Sequence, residues 1–85
     1  MPKEIKEILE KLNKIVYPVA YWQVEEIFKK IDSKIVSIEG YLFSFYYYGT
    51  KIYKIDNKLY KFRFLLDKNQ NYDCLLISFL GEVNE

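Results

Sequence analysis

Histidine is absent from this sequence, and cysteine and arginine occur once each, as Cys74 and Arg63. Without histidine the chain lacks the commonest general base, the usual triad member and the commonest zinc ligand. One cysteine cannot form a disulfide within the chain, and with no histidine it cannot anchor a zinc site. Cys74 falls in a predicted strand between Asp73 and Leu75, where it reads as a small buried hydrophobe rather than a nucleophile. The three glycines, Gly40, Gly49 and Gly81, stand alone, so no phosphate-cradling loop exists. No apolar run approaches the roughly 18 residues of a membrane helix. The first twenty residues alternate charge with Ile and Leu, unlike a secretory signal. These absences predict a cytoplasmic, non-enzymatic protein without cofactor, metal or membrane contact. Carboxylates remain the candidate catalysts: Glu25, Glu26, Asp32, Glu39, Asp56 and Asp67. Most fall on a wet helix face or in turns, where Asp bonds its own backbone.

What is abundant is aromatic. Of the 85 residues, 51% are apolar and 19% are Phe, Tyr or Trp. That is more ring surface than a small core needs, and a surplus of rings tends to end at an interface. The length fits a single domain over 1–85. Lysine outnumbers arginine twelve to one, with much Ile, Asn, Tyr and Phe, the usage of an AT-rich genome. Net charge is +1, too little to draw nucleic acid or membrane by itself. The charge is unevenly placed. Residues 41–66 carry Lys51, Lys54, Lys58, Lys61 and Arg63 against Asp56, a net +4. Residues 67–85 carry Lys68 against Asp67, Asp73, Glu82 and Glu85, a net −3.

Two amphipathic helices are predicted, at about 2–16 and 20–31. In the first, Ile5, Ile8, Leu9, Leu12, Ile15 and Val16 make one stripe, with i,i+4 pairs Lys3–Glu7, Lys6–Glu10, Glu7–Lys11 and Glu10–Lys14 opposite. Pro18 ends it. In the second, Tyr21, Val24, Ile27, Phe28 and Ile31 form the stripe, with Glu25–Lys29 and Glu26–Lys30 on the wet side. A sheet is predicted over about 35–80: Ile35–Ile38, Tyr41–Tyr48, Lys51–Ile55, Lys58–Leu66 and Tyr72–Leu80. Gly40 reads as a bulge or a break, Gly49-Thr50 and Asp56-Asn57 as turns, and 81–85 as a polar tail. The expected fold class is α+β, with two N-terminal helices on one face of a four- to five-stranded antiparallel meander.

Alternation assigns the faces. Tyr60, Phe62, Phe64 and Leu66, with Tyr41, Phe43, Phe45 and Tyr47, go to the core. The second face then collects Tyr46, Tyr48, Lys54, Lys61 and Arg63, with Leu42, Leu59 and Leu65 among them. Two short helices cannot cover both faces. The second face is therefore either a solvated sheet surface or an interface, since Tyr and Arg dominate binding hot spots. A helix-turn-helix fails on charge, because Gln23, Glu25 and Glu26 would meet phosphates. Helix one as a membrane-surface helix is weak, its charges being balanced. A platform for single-stranded nucleic acid is more plausible, with Tyr46 and Tyr48 for stacking and Lys54, Lys61 and Arg63 for the backbone.

The stretch Ile52-Tyr53-Lys54-Ile55, Leu59-Tyr60-Lys61-Phe62-Arg63-Phe64-Leu65-Leu66-Asp67 and Leu75-Leu76-Ile77-Ser78-Phe79 resembles the C-terminal strands of RelE/HigB-type toxins. The resemblance implies two helices before an antiparallel sheet and descent from ribosome-dependent RNA cleavage. That family usually opens with a strand, whereas this chain opens with a helix. Where the family places basic residues after its last strand, this chain has Leu80-Gly81-Glu82. The resemblance therefore implies a degenerate relative that has lost catalysis, with Lys54, Lys61 and Arg63 as its remaining basic residues.

The leading functional expectation is a protein-binding module using Tyr46, Tyr48, Lys54, Lys61 and Arg63, with a protein partner or a second copy. Small compact proteins of AT-rich mobile elements often inhibit a host or defence protein, which makes a phage-encoded inhibitor the expected setting. Single-stranded nucleic acid is the alternative partner.

Overall fold

The apolar stripe of the first segment becomes helix α1, Lys3–Leu12, in a computed structural model that describes residues 1–84. Its Ile5 and Ile8 are buried. The helix stops four residues short of the predicted Val16. Asn13 N–H still bonds Leu9, but the next two amides reach back only three residues, Lys14 to Lys11 and Ile15 to Leu12, tightening the last turn. The chain then extends through a cis Tyr17–Pro18 bond to Val19, which bridges Cys74. Helix α2 spans Tyr21–Phe28, and a 3-10 helix continues it over Lys29–Lys34. The predicted second helix thus changes winding after Phe28, yet Ile31 remains fully buried.

The ion pairs also differ from expectation. Among the described residues, only Lys3–Glu7, at 4.0 Å, follows the i,i+4 pattern. Glu7 also meets Lys30 at 3.3 Å, and Glu4 meets Lys34 at 3.5 Å. Glu4 and Glu7 of α1 thus reach lysines of the 3-10 segment, Glu7 while also meeting Lys3 of its own helix. These half-exposed pairs orient the two elements and contribute little energy, about 0–1 kcal/mol each.

Four strands follow as an antiparallel meander in the order β1-β2-β3-β4: β1 Ile35–Phe43, β2 Tyr46–Ile55, β3 Lys58–Asp67 and β4 Asp73–Val83. No fifth strand is present among the described residues. The predicted strand Tyr41–Tyr48 is in fact two strand ends joined by a two-residue turn at Ser44-Phe45. Ser44 has φ 57°, while Phe45 stays at negative φ. Only the first turn residue takes positive φ, as in a type II′ hairpin. The turn was hidden because Ser occupies the position where glycine is usual. Gly49-Thr50, predicted as a turn, lies inside β2. Asp56 and Asn57 do form a turn, both at positive φ as type I′ requires.

Gly40 neither breaks nor bulges β1. It pairs with Gly49, and the Tyr47 ring lies across the pair. A Cβ on Gly40 would overlap the Tyr47 hydroxyl oxygen, so this position needs glycine for close approach. The bulge in β1 is at Val36 instead, between the paired residues Ile35 and Ser37. At the other end, β4 runs through the predicted tail to Val83, which pairs with Leu59. Gly81, at φ 82°, accompanies a register shift there, and Lys58–Glu82 closes the end at 3.8 Å. Glu85, the last residue of that predicted tail, lies outside the described residues.

The register sets two faces. The inner face carries Tyr53, Tyr60, Phe62, Phe64, Leu66, Cys74 and Ile77, buried in one cluster with Ile5, Ile8, Val24, Phe28 and Ile31. Phe28 of α2 is its hub. Its ring lies 5.0 Å edge-on from Phe62, 5.3 Å from Phe64 and 5.9 Å from Tyr53. Such contacts add about 0.5–1.5 kcal/mol each beyond simple burial. Tyr53 brings a cost, because its hydroxyl is buried without a hydrogen-bond partner.

Candidate binding face

A two-residue turn inverts the parity between the strands it joins. Across Ser44-Phe45, Phe43 pairs with Tyr46, Tyr41 with Tyr48, and Leu42 with Tyr47. This corrects the face assignment of the first hairpin. Tyr41 and Phe43, expected in the core, lie on the outer face and are 64% and 66% exposed. Phe45, also expected in the core, sits exposed at the turn, held by a bond from the Lys68 amide to its carbonyl. Leu42, expected on the second face, is on the inner side. In β3 no turn intervenes, and the predicted alternation matches the structure.

The outer face reads as cross-strand rows. At the hairpin end stand Phe43, Tyr46, Asp67 and Asp73. The next row is Tyr41, Tyr48, Leu65 and Leu76. Then come Glu39, Thr50, Arg63 and Ser78, followed by Ser37, Ile52 and Lys61, and finally Lys54, Leu59 and Val83. Tyr46, Tyr48, Lys54, Lys61 and Arg63 therefore share one face. Tyr41, Phe43 and Leu76 join them, and sequence reasoning missed these three. The Ser44-Phe45 turn would have found Tyr41 and Phe43; Leu76 owes its face to the register shift of β4 between Cys74 and Leu76, which no local pattern marks.

The middle of this face is organised. The Tyr41 and Tyr48 rings stack with centroids 5.3 Å apart and planes 19° from parallel. Beside them a shallow groove of about 420 Å³ runs between Glu39, Tyr41, Tyr48, Lys61 and Arg63. Charge divides along the strands. Lys54, Lys61 and Arg63 occupy one end, Asp67 and Asp73 the other, and Glu39 shares the row of Arg63. The net +4 of residues 41–66 is not concentrated here. Lys51 points to the inner side, donates to the Tyr21 hydroxyl at 3.2 Å and lies 5.3 Å from the Phe64 ring centroid. Lys58 also belongs to the inner register and meets Glu82.

The candidate carboxylates do not converge. Glu25 and Glu26 are exposed on α2, Asp32 lies in the 3-10 segment, and Asp56 sits in its turn. Asp67 accepts from the Asn69 amide at 3.0 Å, a local turn bond. Glu39 alone borders the groove. Among the described residues, no group of three or more His, Cys, Asp or Glu converges to hold a metal ion. Cys74 is fully buried and bonds the Leu76 carbonyl; burial pushes its thiol up to about 11, so it carries little thiolate near neutral pH. No helix is long and apolar enough to cross a membrane.

No family model matches the chain, and neither a curated protein nor a solved structure matches it.

Proposed function

We propose that this chain is a non-enzymatic protein-binding module that docks its partner on the outer face of the sheet. The observation that carries the reading is the strip of exposed Tyr41, Phe43, Tyr46 and Leu76 around the half-buried Tyr48, with cations grouped at one end of it. Rings on a sheet are held by two χ angles each, so ordering them against a partner costs little entropy. The fitting partner presents an apolar ridge to the Tyr41–Tyr48 strip and an acidic group to Lys61 and Arg63. An inhibitor encoded by a mobile element is one setting for such a module.

Single-stranded nucleic acid fits this face less well. A stacking platform needs cations tracking the strand beside the rings. Here Asp67 and Asp73 share the aromatic end, and Glu39 shares the row of Arg63 next to the Tyr41–Tyr48 pair. A phosphate backbone crossing the rings would meet these acids.

Capture from a host lysate, with and without nuclease, tests the reading against Tyr48→Ser and Arg63→Ala variants. The expected result is a protein retained by the parent chain, insensitive to nuclease and lost with either substitution. Retention that disappears with nuclease, or falls steeply with salt, would transfer the face to nucleic acid. Equal retention by the parent and both variants would remove the face from the function.

A further inference from the structure

We infer that β1 is the self-association edge of this protein, pairing antiparallel with β1 of a second copy about a two-fold axis at Gly40.

The sheet has two edges, and they are built differently. Strand β4 is blunted. It carries register shifts beside Leu75 and Leu80, and its Cys74 amide and carbonyl are already taken by Val19, at 2.7 and 2.9 Å. Asp73 and Glu82 stand near its ends. Bulges, charges and a covering segment are the devices that keep a sheet edge from pairing. Strand β1 has one bulge, at Val36, and then runs in regular register from Ser37 to Phe43 with Glu39 as its single charge. Ile38 and Leu42, on its inner side, are 64% and 52% exposed. A long, regular, apolar edge is a template for another strand.

The hairpin fixes which backbone groups are free. Phe43 and Tyr46 flank a two-residue turn, so they exchange ladder bonds with each other. Alternation then directs the amides and carbonyls of Tyr41, Glu39 and Ser37 toward β2. Those of Leu42, Gly40 and Ile38 point outward.

A second copy of β1 satisfies all of these outward groups in one register. Centred on Gly40, Ile38 pairs with Leu42 of the other copy, Gly40 with Gly40, and Leu42 with Ile38. This register overlaps the whole regular segment from Ser37 to Phe43. It also sets Glu39 opposite Tyr41, whereas a centre on Glu39 would oppose two like charges. Ile38 and Leu42 cover each other on the inner side, and on the outer side the Tyr41 row of each copy runs into the Glu39 row of the other. The interface is isologous, and the blunted β4 edges face outward, so association closes at a dimer instead of growing into a fibre. The inference concerns the edge and stands whether or not the outer face binds a partner.

Two measurements test it. Sedimentation over a concentration series should show a monomer–dimer equilibrium, with Ile38→Lys raising the dissociation constant about tenfold or more while Leu80→Lys on β4 leaves it unchanged. Amide hydrogen exchange on the unmodified chain should show protection at Ile38, Gly40 and Leu42 that grows with concentration. The Glu39 and Tyr41 amides, already bonded to β2, should be protected throughout. A monomer at every concentration up to about 1 mM overturns the inference. So does a dimer whose outward amides stay unprotected, which would be a face-to-face dimer. Protection that appears only when another protein is added also overturns it, since the edge would then serve a foreign strand.

Discussion

The two faces of this sheet use the same kinds of residue for different ends. On the inner face, Tyr53, Phe62 and Phe64 surround Phe28 and are sealed from water. On the outer face, Tyr41 and Tyr48 stack on each other and no element among the described residues covers them. Aromatic content therefore says little about burial. Strand parity decides it, and parity depends on where each turn falls. The contrast is clearest within β3, where Phe62 is fully buried and Arg63, the next residue, is exposed.

The largest test of this contrast substitutes those neighbours. Phe62→Ala should cost about 3–5 kcal/mol in urea unfolding, because it empties the centre of the ring cluster. Arg63→Ala should change stability by no more than about 0.5 kcal/mol. Comparable losses at both positions would erase the distinction between the faces.

Gly40→Ala comes next. Its methyl would collide with the Tyr47 ring, which must swing away and uncover the glycine pair. A loss of about 1–3 kcal/mol in thermal or urea unfolding is expected. A neutral outcome would show that the ring is free to move.

Alkaline pH probes the buried groups of the inner side. The Cys74 thiol is raised from 9.0 to about 11 by burial, and the Tyr53 phenol is raised too, first by burial and then by Asp32 and Tyr21. A raised value means that the folded state holds its proton more tightly. The Cys74 contribution is complete below about pH 9 and is lost as pH climbs through about 11. Stability measured by urea unfolding should fall across that window by on the order of 2 kcal/mol, and Cys74→Ala should flatten the fall. Tyr53→Phe is the smallest effect. Removing a buried hydroxyl without a partner should leave stability unchanged or raise it by about 1 kcal/mol.

Helix and strand identity were legible because they rest on local period. The stripe of α1, the alternation of β3 and the Asp56-Asn57 turn all follow from residues within a few positions of one another. The five candidate binding residues share one face because β2 runs unbroken through the predicted Gly49-Thr50 turn, which keeps Tyr46, Tyr48 and Lys54 in one parity, and the Asp56-Asn57 turn carries that parity to Lys61 and Arg63. Tyr41, Phe43 and Leu42 lie before the Ser44-Phe45 turn, and their faces inverted with it.

The sequence by itself determined an α+β order, a helical start, an antiparallel meander and a chemistry without histidine, because composition and local spacing carry that information. Tertiary structure decided the rest. It set the hairpin at Ser44-Phe45, tied down by the amide of Lys68, and brought Tyr47 across two glycines nine residues apart. It drew the acids of α1 to Lys30 and Lys34, blocked one sheet edge with Val19 and left the other open. Each of these joins residues distant in the chain, and only closure of the fold sets how far apart they end.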